Sequence, residues 1–166
     1  MITAVVGAGG KTTLIHQLAA QYRREGKRVL VVTSTHMLIE PDTLLTDDPR
    51  MILDAFDRNG YAMAGTPCGE KISALPESAY LAACVGADEV LVEADGSKHL
   101  PIKYPRVGEP VIPANADRII VVCGLHALGK PLQEVAFRLE EVACLPKRSS
   151  RLRTSRRWSA RVIWSR

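Results

Sequence analysis

Apolar residues in this chain gather into short unbroken runs, separated by stretches of helical period. Ile2 to Val6 is the first run, and Arg28-Val-Leu-Val-Val-Thr33, Glu89-Val-Leu-Val-Glu93 and Arg118-Ile-Ile-Val-Val-Cys123 repeat the pattern. Runs that are apolar at every position, rather than at alternate ones, suit strands covered on both faces. Between them Leu14, Ile15, Leu18, Ala19 and Tyr22 recur at helical spacing, with His16, Gln17, Gln21, Arg23 and Arg24 facing away. Gly26 is the expected stop of that helix. Asp48 to Asn59 predicts a second helix with Ile52, Leu53 and Phe56 on its apolar side, ended by Gly60. Tyr61 to Ala64 reads as a short strand, and Glu77 to Val85 as a helix begun by Pro76. Strands alternating with helices predict a three-layer α/β fold with a mainly parallel sheet. Ligands in such sheets bind beyond the carboxyl ends of the strands.

Two segments do not follow this rhythm. Between Asp95 and Asn115 stand Pro101, Pro105, Pro110 and Pro113, a density that forbids a helix and predicts a long ordered loop or lid. From Lys147 to Arg166 the chain turns to one lysine, seven arginines, five serines and both tryptophans, with no acidic residue. The formal charge of +4 therefore comes from this tail alone: residues 1–146 hold 14 basic and 18 acidic side chains, net −4. Ordering the tail would cost on the order of 30 kcal/mol for little apolar burial. Residues 1–146 are thus expected to form one domain, with 147–166 a disordered basic tail. Three readings of the tail compete: an Arg/Trp nucleic-acid arm, a solvated tail, or a frameshifted replacement of the true C-terminal part. The abrupt change near Pro146 favours the last and weighs against nucleic acid as a partner.

No run reaches 18 apolar residues and no basic stretch precedes the first strand, so neither a membrane span nor a signal peptide is expected, and the cytoplasm is the expected compartment. Cys68, Cys84, Cys123 and Cys144 form no C-x-x-C pair and are expected to be reduced, buried, small hydrophobes.

Chemistry enters where the first strand meets the first helix. Gly7-Ala8-Gly9-Gly10-Lys11-Thr12-Thr13 follows a β-branched run and opens an amphipathic segment. Glycines let backbone N–H groups turn onto an anion, the helix N-terminus adds its dipole, Lys11 can reach outer phosphates, and the Thr12 hydroxyl can ligate Mg2+. The long form of such a loop needs glycine at position 5, where Val5 stands; this is the shorter G-x-x-G-K-T-T form of Mur-ligase-type ATP sites. The dinucleotide fingerprint G-x-G-x-x-G fits poorly, because position 12 is Thr and the loop carries a lysine.

The third apolar run ends in Glu93-Ala-Asp95-Gly-Ser-Lys98-His99. Strand alternation places Glu93 and Asp95 on one face, about 7 Å apart along the backbone. One carboxylate would hold Mg2+, directly or through water, and the other would orient or deprotonate a nucleophile. Thr33 and Thr35, at the end of the second run, share a face and can meet a γ-phosphate, a metal-bound water or the acidic pair. His36 and His99 are candidate contacts to phosphate or substrate, and Lys98 and Lys103, flanking Pro101, can neutralise transition-state charge or bind an anionic substrate. Lys71 is a weaker candidate. His16 belongs to the polar helix face, and His126 has no visible context.

Gly7–Thr13, Thr33-Ser-Thr-His-Met37, the stretch Val92 to Lys103 with its Glu-Ala-Asp-Gly-Ser-Lys-His string, Glu109-Pro-Val-Ile-Pro113 and Ala127-Leu-Gly-Lys-Pro131 together resemble the YqeC family across residues 2–145. The resemblance implies a P-loop NTPase fold and a role as accessory protein to a selenium-dependent molybdenum hydroxylase, maturing the enzyme or its molybdenum cofactor. It implies a context and not a reaction. Family members are longer, and their C-terminal part does not look like Lys147 to Arg166. Combined, these readings give a Mg2+-dependent protein that binds ATP or GTP. Gly7 to Thr13 and Thr35 would contact the nucleotide, Thr12, Glu93 and Asp95 the metal, and Lys11, Glu93, Asp95, Lys98 and His99 would serve catalysis. The product would be hydrolysed NTP or a phosphorylated acceptor. The alternatives are a non-catalytic, nucleotide-gated interaction module or an inactive truncated product.

Overall fold

A computed structural model describes residues 1–98 and 100–139. His99 and the tail from Lys147, two of the features singled out above, lie outside the described residues. The first half of the chain runs β1 (Ile2–Gly7), α1 (Lys11–Arg24), β2 (Val29–Thr33), β3 (His36–Leu38), β4 (Thr43–Leu45) and α2 (Pro49–Asn59). The second half runs β5 (Tyr61–Cys68), β6 (Lys71–Ser73), α3 (Glu77–Gly86), β7 (Glu89–Glu93), β8 (Ile102–Lys103), β9 (Arg118–Val122), a 3-10 turn (Leu125–Ala127), α4 (Leu132–Val135) and β10 (Ala136–Phe137).

The architecture is α/β with a mixed sheet. Its order is β3-β6-β5-β2-β7-β1-β9, with β4 pairing beside β5, and β8 and β10 make a separate two-stranded ladder. All pairings among β5, β2, β7, β1 and β9 are parallel, and so is β4 with β5. The expectation of a mainly parallel sheet needs correction at one edge, where β6 runs antiparallel to both β5 and β3. The cause is local. The strand expected to stop at Ala64 continues through Cys68, turns at Gly69 (φ +62°) and comes straight back as β6. A two-residue turn can only join antiparallel strands, and Pro67 hid the strand from a reading of pattern because it interrupts a ladder.

Alternation along the strands divides the core. Val5, Val29, Val31, Met63 and Leu91 pack with Ile15, Ala19 and Tyr22 of α1. Ala4, Val6, Leu30, Val32, Val90 and Val92 face the other way, onto Ile52, Ala55 and Phe56 of α2 and Ala79 and Ala83 of α3. The parity that puts Leu91 under α1 also puts Glu93 there. Helix punctuation follows the sequence closely. The Asp48 carboxylate accepts from Arg50 N–H at 2.9 Å as N-cap of α2, Pro49 opens the helix, and Gly60 closes it at φ +67°. Among the described cysteines, Cys68 at the β5 turn and Cys123 just past β9 are exposed, against expectation, and Cys84 is half-buried; Cys144 lies outside the described residues. The four helices include none long and apolar enough to cross a membrane among the described residues.

Candidate functional site at the carboxyl ends of the parallel strands

β1, β2, β7 and β9 all point their carboxyl ends at one cleft of about 850 Å3. The glycine loop forms its floor. Gly7 sits at φ +92°, and a Cβ there would lie 2.2 Å from the Val122 carbonyl oxygen of β9. Ala8 N–H donates to that same oxygen at 2.8 Å, which presses the loop onto β9. Gly7→Ala is therefore expected to destabilise the fold by about 2–4 kcal/mol, from a backbone clash added to a left-handed φ. Urea unfolding checks this, and a loss below 1 kcal/mol would mean that the loop and β9 are not packed this closely.

Gly10, at φ +116° with open space around it, hands the chain to α1, which has no side-chain cap and no acidic residue in its first turn. An uncapped N-terminus leaves its N–H groups and dipole facing the cleft. Gly9 packs more tightly, since a Cβ there would meet the backbones of Gly124 and Pro101 at 2.8–2.9 Å. Thr12 and Thr13, the exposed residues of the first turn, line the cleft.

Lys11 is buried and donates to the Gly7 carbonyl at 2.8 Å, with Ser97 Oγ at 3.5 Å. Loss of solvent lowers its pKa from the ordinary lysine value, a shift opposed by the nearby Glu93 and Asp95 carboxylates. Glu93, also buried, accepts a 2.8 Å hydrogen bond from Thr12 Oγ1. Desolvation pushes its carboxyl above the usual range, against the pull of the Thr12 hydrogen bond and of Lys11. Thr33 holds the strand end from behind: its hydroxyl donates to the Glu93 carbonyl at 2.9 Å and accepts from Thr35 N–H at 3.0 Å.

Asp95 has a different setting. One carboxylate oxygen accepts from Gly7 N–H at 3.3 Å, and the other is paired with Lys103. The Lys103 side chain is only 2% exposed and is shared with Glu109 at 2.6 Å, which in turn is bound by the Arg138 guanidinium. Arg138 and Lys103 together drive the Glu109 carboxyl down to about 2. Lys103 is thus no solvated surface lysine; the proline-rich loop folds inward on it. That loop is also tied to the sheet where Val111 N–H donates to the Ala94 carbonyl at 3.0 Å and Ser34 Oγ donates to the Val111 carbonyl at 2.5 Å.

The structure brings most of the sequence-predicted residues together. Gly9 to Thr13, Thr35, Glu93 and Lys98 all line the cleft, as do His36 and Lys71 on the far wall from β3 and β6. Gly7 and Asp95 stand just behind the floor, joined by their hydrogen bond. His16, on the polar face of α1, pairs with Glu40 at 2.8 Å. His126, which had no context in the sequence, lines the cleft through the 3-10 turn after β9. Residues that pattern reading left without a role are Ser97, Glu109, Phe137 and Arg138. Ser97 and Glu109 fall inside strings with visible character, whereas Phe137 and Arg138 follow a helix of four residues with too little period to find.

No cluster of three or more His, Cys, Asp or Glu side chains capable of caging a metal exists among the described residues. Fold and cleft define an α/β protein whose candidate site is a glycine-loop cleft closed by buried acidic and basic side chains. Residues 3–140 match the family model described as YqeC protein. The chain belongs to the YqeC family. It is 35% identical over 144 residues to the uncharacterized protein YqeC of Escherichia coli (strain K12), an overlap of 77% of this chain and 53% of that relative. It therefore spans about half the length of the curated relative it matches. No solved structure matches it.

Proposed function

We propose that this protein binds a nucleoside triphosphate, ATP or GTP, with Mg2+ in a P-loop NTPase-like three-layer fold, and hydrolyses it or transfers its phosphoryl group. The carrying observation is the 2.8 Å contact between Thr12, in the first turn of an uncapped helix, and the buried Glu93 carboxylate. A hydroxyl paired with one carboxylate, without a caging cluster, suits a cation that keeps waters and takes its other ligands from phosphates. Thr12 and Glu93 would hold Mg2+, which when bound supplies charge neutralisation across the phosphate oxygens; Asp95, read from the sequence as a third metal ligand, instead has its two carboxylate oxygens on Gly7 N–H and Lys103.

The loop amides from Gly9 to Thr13 would wrap the phosphates, those of Gly7 and Ala8 being taken by Asp95 and the Val122 carbonyl, and Lys11 would leave the Gly7 carbonyl to donate to them. Asp95 would keep the loop in register through Gly7 N–H. Thr35 and Lys98 would face the transferred group, with His99 beside Lys98 in the chain. Family membership supports a role in maturing a selenium-dependent molybdenum hydroxylase or its cofactor.

Glu93→Gln separates function from folding. Burial raises the Glu93 pKa, so the folded state holds this proton more tightly than the unfolded chain. Stability is consequently lost as pH rises from the unfolded value, about 4.3, through the folded one. The glutamine variant escapes that loss. It is expected to be about 1 kcal/mol more stable at pH 7, with no gain below about pH 4. In a panel of ATP and GTP with and without Mg2+, the wild type should gain thermal stability from nucleotide plus Mg2+ and release product. The variant should lose the Mg2+-dependent part of that gain and its turnover. Full retention of both would remove Glu93 from the site.

A further inference from the structure

The β2–β7 ladder ends on Thr33 and Glu93, which stand opposite each other across the two strands. By parity both side chains lie on the α1 side of the sheet, in line with Val29 and Val31 on β2 and Leu91 on β7. Strand ends are where ladders fray. Here the Glu93 carbonyl is held twice, by the Thr33 hydroxyl at 2.9 Å and by Ser34 N–H at 3.2 Å. Thr33 is only 3% exposed and does not line the cleft, whereas Thr35 and Glu93 both do. Buried in this way, it acts on the cleft through its neighbours rather than by touching a ligand.

A hydroxyl has one proton to donate and two lone pairs that accept. The Thr33 proton goes to the Glu93 carbonyl, and a lone pair takes Thr35 N–H at 3.0 Å, which closes a threonine turn. The Thr35 hydroxyl oxygen stands 3.4 Å from the same atom. With its proton already given to Glu93, Thr33 can meet that hydroxyl only as an acceptor. One buried side chain thus ties together two residues that reach the cleft from different strands. Glu93 brings the carboxylate that accepts from Thr12 at 2.8 Å, and Thr35 comes from the segment just past β2. Groups that orient a metal ligand from behind affect metal affinity strongly, because they fix where the ligand's oxygen is presented.

We infer that Thr33 is a positioning residue for the metal side of this cleft. Its hydroxyl fixes the Glu93 backbone and the Thr35 amide together, so that the cleft groups on the two strands are presented to a ligand as one unit. The metal part of this role rests on the nucleotide and Mg2+ reading proposed above; the tie between the two strand ends does not.

Three substitutions test it. Thr33→Val keeps the β-branched shape and removes the hydroxyl. Thr33→Ala removes it without setting a methyl group against Thr35 N–H, and Thr33→Ser keeps it. Amide exchange followed by NMR, on the protein without ligand, should show Thr35 exchanging about tenfold faster in Thr33→Val and Thr33→Ala than in the wild type or Thr33→Ser. Binding of a non-hydrolysable ATP analogue is then measured across a Mg2+ titration. The two variants without the hydroxyl should hold Mg2+ about 10- to 100-fold more weakly, while their affinity for the analogue in EDTA changes less than about twofold. Thr33→Ser should keep both values near those of the wild type. Ser34→Ala removes a hydroxyl that donates to the Val111 carbonyl instead, and should leave Mg2+ affinity within about twofold. Unchanged exchange at Thr35, or unchanged Mg2+ affinity, in Thr33→Val would overturn the inference. So would a Thr33→Ser variant that behaves like Thr33→Val, since the hydroxyl would then not be what matters. An equal loss of analogue affinity with and without Mg2+ would reduce Thr33 to a residue of the fold, and so would an equal fall in Ser34→Ala. A wild type that takes up neither the analogue nor Mg2+ would instead reject the NTP reading; exchange at Thr35 then decides alone whether Thr33 holds the two strand ends.

Discussion

Lys11→Met is expected to cut NTP turnover by about 10²–10³-fold and nucleotide affinity by about 10- to 100-fold while leaving the fold intact. The side chain is buried beside two carboxylates, and in this structure its ammonium rests on the Gly7 carbonyl 2.8 Å away. A lysine of purely structural value would be stabilised as a cation in such company. Lys11 is not, because loss of solvent outweighs Glu93 and Asp95 and lowers its pKa. A cation whose folded pKa is lowered costs stability wherever it is charged, so the cost is present at pH 7 and fades only as pH rises past the folded value. Methionine keeps the aliphatic stem and removes that cost. The variant should therefore unfold at a urea concentration no lower than the wild type, and its stability should vary less between pH 7 and pH 10. Equilibrium binding of a labelled ATP analogue, steady-state phosphate release and urea melts give the three readouts. Wild-type turnover in this variant would sink the assignment of the loop, and a large loss of stability would recast Lys11 as a structural counterion.

How far the site could be read from sequence depended on what each residue's neighbours were. The floor was legible because it is local: glycines, a lysine and two threonines at fixed offsets sit on a strand-to-helix turn whatever the rest of the chain does. Glu93 was legible for a similar reason, since an acid closing an apolar run must lie at a strand end, and parity placed it under α1. The second wall was not legible. β3 and β6 are three residues each, and nothing in His36–Leu38 or Lys71–Ser73 shows a period. Their place in the sheet is decided by the turn at Gly69 and by the burial of Met37 and Ile72 against the α1-side core. Phe137 and Arg138 reach the cleft through the β8–β10 ladder, a pairing between segments 34 positions apart that no local signal encodes. The fate of Lys103 is the clearest case. Sequence placed it in a proline-rich loop, where a lysine is ordinarily solvated, and only the return of that loop to the end of β7 turns it into a buried counterion.

That burial makes Lys103→Met the variant with the largest expected effect on stability, a loss of about 3–5 kcal/mol. The Lys103 and Asp95 side chains are 2% and 5% exposed, so removing the cation leaves a carboxylate with little water to replace it. Glu109 is less affected because Arg138 still holds it. For a chain of this size the loss corresponds to a fall in melting temperature of about 6–20 °C. Combining Lys103→Met with Asp95→Asn removes both charges of the pair and should recover part of the stability, with a coupling energy of about 1–3 kcal/mol. Recovery of stability need not restore binding. Asp95 holds the first amide of the glycine loop as well as Lys103, so an asparagine whose amide turns toward Gly7 N–H would restore packing without restoring that acceptor. The double variant is therefore expected to melt closer to the wild type than Lys103→Met does, while still binding nucleotide more weakly than the wild type. Additive losses in the two single variants would mean that Asp95 and Lys103 do not act as a pair. Full recovery of both stability and affinity would mean that the pair serves the fold and has no hold on the loop.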